Sequence, residues 1–151
     1  MLRRIEQFLA LDWRHKVLFL RAWFLMGRVR WALARKPFKA LTSELKLHRV
    51  PAELPPLPAG SREIARSVGW AVRTASKFTP WQSTCLVQVL AAQRLLKNQG
   101  IAGVFYLGAT NSAREDETPA FLAHAWLKCD GEFITGEPGH ERYTVVSSFS
   151  W

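Results

Sequence analysis

The sequence predicts an α+β domain in which helices pack against an antiparallel sheet. Helical periodicity fills the chain up to about residue 100 and strand-like runs fill the rest, an order that segregates helices from sheet. Asp130-Gly131 is a strong two-residue hairpin signal, so the strands that flank it are expected to pair antiparallel. With 151 residues, 48% hydrophobic and 22% charged, the chain can bury one core; it is short for two domains and too apolar for disorder.

The first helix is expected from Trp13 to about Arg35, with Asp12 as its cap and Pro37 as its stop. Four of the eight prolines lie between Val50 and Ala59, which predicts an extended connector. Ser61 is placed to cap a helix whose Ile64, Val68, Val72 and Ala75 share a face until Thr79-Pro80 ends it. The next helix starts at Ser83 or Thr84, directs Leu86, Val89, Leu90, Leu95 and Leu96 to the core, and closes on a left-handed Gly100. Strands follow at 103–107, 121–129, 132–135 and 143–149, with the polar run Asn111 to Pro119 as a surface loop. The expected organisation is a basic helical arm (1–50), a proline-rich connector (51–60) and a core (61–151).

The formal charge of +9 is carried entirely by the arm. Residues 1–49 hold 12 Lys+Arg against 3 Asp+Glu, whereas residues 50–151 hold 9 of each. Arg14, Arg21, Arg28 and Arg35 recur every seven residues and make one stripe that drifts by roughly 20° per step. The stripe is a solvated basic face or a partner-binding one, and Trp and Phe opposite arginines also fit a helix that lies on a membrane surface. No base-reading motif accompanies the charge, so specific nucleic-acid binding is not expected. The longest uncharged run of the first helix, Ala22 to Gly27, falls far short of the roughly 20 residues of a membrane span. Two cysteines, Cys85 and Cys129, with no secretory signal ahead of them indicate a reducing compartment, the cytoplasm.

Cys85 stands at the predicted start of a helix, where unpaired backbone N–H groups and the positive end of the dipole favour thiolate chemistry. His124, in Ala123-His124-Ala125-Trp126, occupies a following strand. Cysteine at a helix start with histidine on a later strand is the arrangement of papain-like and transglutaminase-like enzymes. If Cys129 pairs with Glu132 across the turn, Trp126 faces Thr135 and His124 faces Glu137, which then orients the imidazole. A one-residue bulge brings Gly136 opposite instead. Neither a CxxC nor an HxxxH spacing occurs, and Cys129 falls on the strand face opposite His124, so no metal or other cofactor is expected.

Pro80-Trp81-Gln82-Ser83-Thr84-Cys85-Leu86, the helix that ends Leu95 to Ile101, and Ala123-His124-Ala125-Trp126 followed by Asp130-Gly131 resemble the transglutaminase-like leader peptidases of lasso peptide biosynthesis. The likeness covers roughly residues 80–149, and Phe8-Leu9-Ala10-Leu11 ahead of an Arg-rich helix is also similar. It implies a cysteine peptidase that cuts the leader from a ribosomally made precursor peptide and frees the core for a separate asparagine-synthetase-like cyclase. Cys85 would be nucleophile and His124 base, with Trp81 or Gln82 as an added oxyanion donor. The chain is similar to the stand-alone type, which depends on a separate leader-recognition protein, and the arginine stripe would bind one of these partners or a membrane. Where the family keeps an Asp after the hairpin, this sequence reads Ile134-Thr135-Gly136-Glu137, which makes Glu137 the substitute or leaves the dyad unassisted. Another acyl-transfer reaction on the same residues, or a non-catalytic adaptor, are the alternative readings.

Overall fold

The computed structural model of the chain describes all residues except 1–5, 7, 50, 51, 53, 55 and 113–119. Its helices are α1 (Trp13–Arg35), the single-turn α2 (Phe38–Leu41), α3 (Ala59–Ala75) and α4 (Cys85–Asn98). Its strands are β1 (Lys46–His48), β2 (Val104–Ser112), β3 (Ala120–Cys129), β4 (Glu132–Thr135) and β5 (Thr144–Ser150). They form one sheet in the order β1-β5-β2-β3-β4, and every pairing is antiparallel. The expected α+β class is the observed one.

Alternation along the strands decides where the core lies. Phe105, Ala125, Leu127, Cys129, Ile134 and Phe149 are buried in one cluster with Val68 and Val72 of α3 and Leu90 and Leu96 of α4. Helices therefore cover one face of the sheet. In α4 Val89, Leu90, Leu95 and Leu96 are buried as expected, Leu86 is only partly buried, and Gly100 adopts the left-handed φ of 68°. In α3 the core face is Ala65, Val68, Val72 and Ala75, while Ile64 is 42% exposed.

Several boundaries differ from expectation. The arm is not separate from the core: Ala22, Met26 and Val29 of α1 are fully buried in the common cluster, and β1 pairs with β5. The basic residues of α1 occupy only its outer side, which leaves the inner side to pack on the core. Arg14, Arg21, Arg28 and Arg35 are all exposed there. Asp12 has the extended backbone of a cap residue but makes no capping bond; its carboxylate pairs with His15. Ser61 lies inside α3, which begins two residues earlier after Pro58, a residue whose fixed φ suits a helix start. Strand β2 continues to Ser112, and the rest of the predicted loop, 113–119, lies outside the described residues, as do residues 51, 53 and 55 of the predicted connector. Among the described residues no helix is long and apolar enough to cross a membrane.

Three arginines of α3 fasten it to the β3–β4 hairpin. Arg73 donates to the Ile134 carbonyl, Arg62 pairs with Asp130 in the turn, and Arg66 holds both oxygens of Glu132 at 2.7 and 2.6 Å. Hydrogen bonding from Arg66 keeps the Glu132 carboxyl below its ordinary value, yet the pair is solvated and fixes geometry more than stability.

Cys129, only 3% exposed, has its thiol pushed up to about 12, first by burial and then by the neighbouring Asp130 carboxylate. The native state therefore keeps this proton between about pH 8.5 and 12, where the unfolded chain loses it. Stability from this site is intact below the ordinary thiol range and falls as pH rises through that window. The denaturant midpoint should drop more steeply between pH 8 and 10 in the native sequence than in Cys129→Ala, read as the difference between the two slopes.

Candidate active site

The segment that precedes α4 is pinned by Thr79, whose hydroxyl reaches the Trp81 carbonyl at 3.0 Å and the Ser76 carbonyl at 3.1 Å and shares a hydrogen bond with Ser83 at 2.8 Å. Gln88 reaches back to donate to the Ser83 carbonyl at 2.9 Å. Thr84 is then the helix cap, its hydroxyl accepting from the Val87 N–H at 3.4 Å. Cys85 follows as the first residue of α4, half-buried and not in a disulfide. The Gln88 N–H bonds to the Thr84 carbonyl, and the N–H groups of Cys85 and Leu86 have no hydrogen-bond partner among the described residues. They are the donors that an oxyanion formed at the sulfur would meet.

Trp81 lies four residues before the cysteine, its ring tilted against Trp23 at 4.7 Å and fitted over Gly27. Its indole N–H is buried with no hydrogen-bond partner among the described residues. Gln82 is exposed.

His124 stands on β3 opposite Gly108, with its ring 5.8 Å from Trp126 and 5.1 Å from Tyr143. Its Nε2 lies 2.8 Å from the Gly136 carbonyl oxygen. A carbonyl only accepts, so Nε2 carries the proton and, in the neutral ring, Nδ1 keeps a lone pair. The strand thus presents a histidine whose base nitrogen is defined by a backbone contact.

The expected carboxylate partner is corrected here. Cys129 pairs with Glu132 and Lys128 with Phe133, but the register then shifts so that Thr135 faces Leu127 and not Trp126. This one-residue bulge removes the alignment that would set Glu137 against His124. The Gly136 carbonyl takes that place, and the Glu137 side chain is exposed. Its own carbonyl accepts from His140 Nδ1 at 2.7 Å.

Cys85 and His124 are offered from different layers. Ala125 and Leu127 point to the helices, so His124 and Trp126 belong to the other face, and no hydrogen bond joins the thiol to the imidazole among the described residues. That second face carries an aromatic cluster that sequence reading missed. His140 lies 5.7 Å from Trp126 and 4.5 Å from Phe133, and Tyr106 stacks on Trp126 at 5.7 Å. The alternation Tyr106, Gly108 and His124, Trp126 was the available signal. A cavity of about 740 Å³ opens between α1 and α3, and neither Cys85 nor His124 lines it. Among the described residues no three His, Cys, Asp or Glu side chains gather as a metal ion requires.

The profile of the Transglutaminase-like superfamily matches residues 25–148. The chain belongs to the transglutaminase-like superfamily. No curated protein and no solved structure gives a significant match. The superfamily includes cysteine peptidases and acyl transferases. In this transglutaminase-like domain the match begins inside α1 and ends inside β5, in agreement with the packing that joins arm and core.

Proposed function

We propose that this transglutaminase-like domain is a cysteine peptidase that removes the leader from a lasso precursor peptide, with Cys85 as nucleophile and His124 as base. The observation that carries the reading is the position of Cys85: first residue of a capped 14-residue helix, where the Cys85 and Leu86 N–H groups have no partner among the described residues. His124 supports it through a Nδ1 left free by the Gly136 bond.

In this reading His124 Nδ1 accepts the thiol proton as Cys85 sulfur attacks the carbonyl carbon before the cut. The new C–S bond gives a tetrahedral oxyanion beside the Cys85 and Leu86 N–H groups. The C–N bond breaks, His124 returns its proton to the departing amine, and water hydrolyses the thioester to release the leader as a carboxylate. The mechanism requires the strand that carries His124 to be rearranged in the complex with the leader and its recognition protein, so that the imidazole reaches the thiol, and the alkylation comparison below tests that requirement. The freed amine is the group a separate cyclase would join to a side-chain carboxyl.

The test is site-resolved alkylation of Cys85 across pH, with the buried Cys129 as internal control, with and without leader peptide and recognition protein. His124→Ala should slow Cys85 alkylation near neutral pH by about tenfold in the assembled complex. Equal rates in the two proteins would remove His124 from the chemistry. A product that carries an added amine in place of the new carboxylate would assign acyl transfer instead of hydrolysis.

A further inference from the structure

α1 presents two parallel rows to solvent. Trp13, Leu20, Phe24 and Trp31 are 77%, 46%, 63% and 57% exposed. At 100° per residue they fall within about 40° of one another, and the row runs for about 27 Å along the helix. Beside it lie Arg14, Arg21, Arg28 and Arg35, all exposed and none in an ion pair among the described residues. The rows touch where the Arg35 guanidinium sits 4.4 Å from the centre of the Trp31 ring. The helix contains no acidic residue, and its opposite side is the buried one.

We propose that this face of α1 docks the protein on an anionic lipid surface. An aromatic row aligned along one side of a helix matches a plane, whereas a protein groove would have to be shaped around it. Nucleic acid would engage the arginines and leave the Trp and Phe rings in water. Only a surface with apolar chains just beneath a layer of phosphates receives both rows together, rings at the acyl boundary and guanidiniums at the headgroups. Charge complementarity is strong, because the first 49 residues carry all of the net +9. The positive field extends past the helix: burial and the nearby Arg28 hold the half-buried Arg94 guanidinium below its usual value, so two cations lie close together.

The test is flotation of the full chain with vesicles of phosphatidylcholine alone or mixed with phosphatidylglycerol. Binding is expected only to the mixed vesicles. Arg21→Gln with Arg28→Gln should weaken it about 25-fold, at about fivefold for each cation near the surface. Trp13→Ser with Phe24→Ser should weaken it by at least tenfold while circular dichroism stays native, since both side chains are exposed. Absence of binding to the mixed vesicles overturns the proposal. So does undiminished binding of the Trp13/Phe24 variant, which would mean adsorption by charge alone, or a short DNA duplex bound as tightly as the vesicles.

Discussion

Cys85→Ala should abolish leader cleavage, a loss on the order of a million-fold if the sulfur is the nucleophile, while the protein stays folded. The two halves of that expectation rest on different facts. The chemical half follows from the thiol being the strongest nucleophile at the start of α4, where the Thr84 hydroxyl caps the helix and the Ser83 hydroxyl is hydrogen-bonded to Thr79. The structural half follows from its half-buried position: alanine is a better helix former, and the truncated side chain borders the core without filling its centre. A change of about 1 kcal/mol or less in unfolding free energy is expected. Mass spectrometry of the precursor and a denaturant titration, run on the same preparation, measure both. Cleavage that survives the substitution would sink the peptidase mechanism, and co-unfolding would be visible as such in the titration.

Gly136→Ala should be the most destabilising single methyl group in the chain. Gly136 has φ of 79°, in the left-handed region, and a Cβ there would lie 2.3 Å from the Ala125 carbonyl oxygen and 2.8 Å from Trp126 backbone. Both neighbours are strand backbone, which cannot step aside without breaking the β3–β4 ladder. A cost of about 3 kcal/mol or more follows, read as a fall of roughly 6–12 °C in Tm for a chain of this length. The same residue carries the carbonyl that holds His124 Nε2, so the variant should also lose the difference in Cys85 alkylation between histidine and alanine at 124. Glu137→Gln alters the adjacent exposed side chain and should leave Tm and alkylation unchanged, which separates the backbone contribution from that of the carboxylate.

The helices and most strands could be read from the chain because each carries a local signal. Trp13 to Arg35 has a cap position and a proline stop, Cys85 to Asn98 has Thr84 and Gly100, and Asp130-Gly131 announces the hairpin. What escaped were features set by distant partners. Lys46–His48 is only three residues with no alternation of its own, and it becomes a strand because β5 offers an edge. The buried side of α1 was obscured by arginines that recur on its outer side. At the candidate site the cysteine and the histidine were legible as residue types in order, but the partner of His124 was not. It is a backbone carbonyl, which has no letter in the sequence, placed by a bulge that shifts the register by one residue.

The place of β5 in the sheet sets a timetable for synthesis. β5 lies between β1 and β2, and His48 bonds to Ser150 across 102 residues at 2.7 Å. At about 5–20 residues per second, β1 emerges from the ribosome roughly 5–20 s before its neighbour exists. During that interval α1 has no finished sheet to help cover Met26 and Val29, and once β2 has been made its edge stays open until β5 follows. The nascent chain is therefore most exposed to unwanted association just before its final strand arrives, and it closes in one late step when that strand slots into the gap.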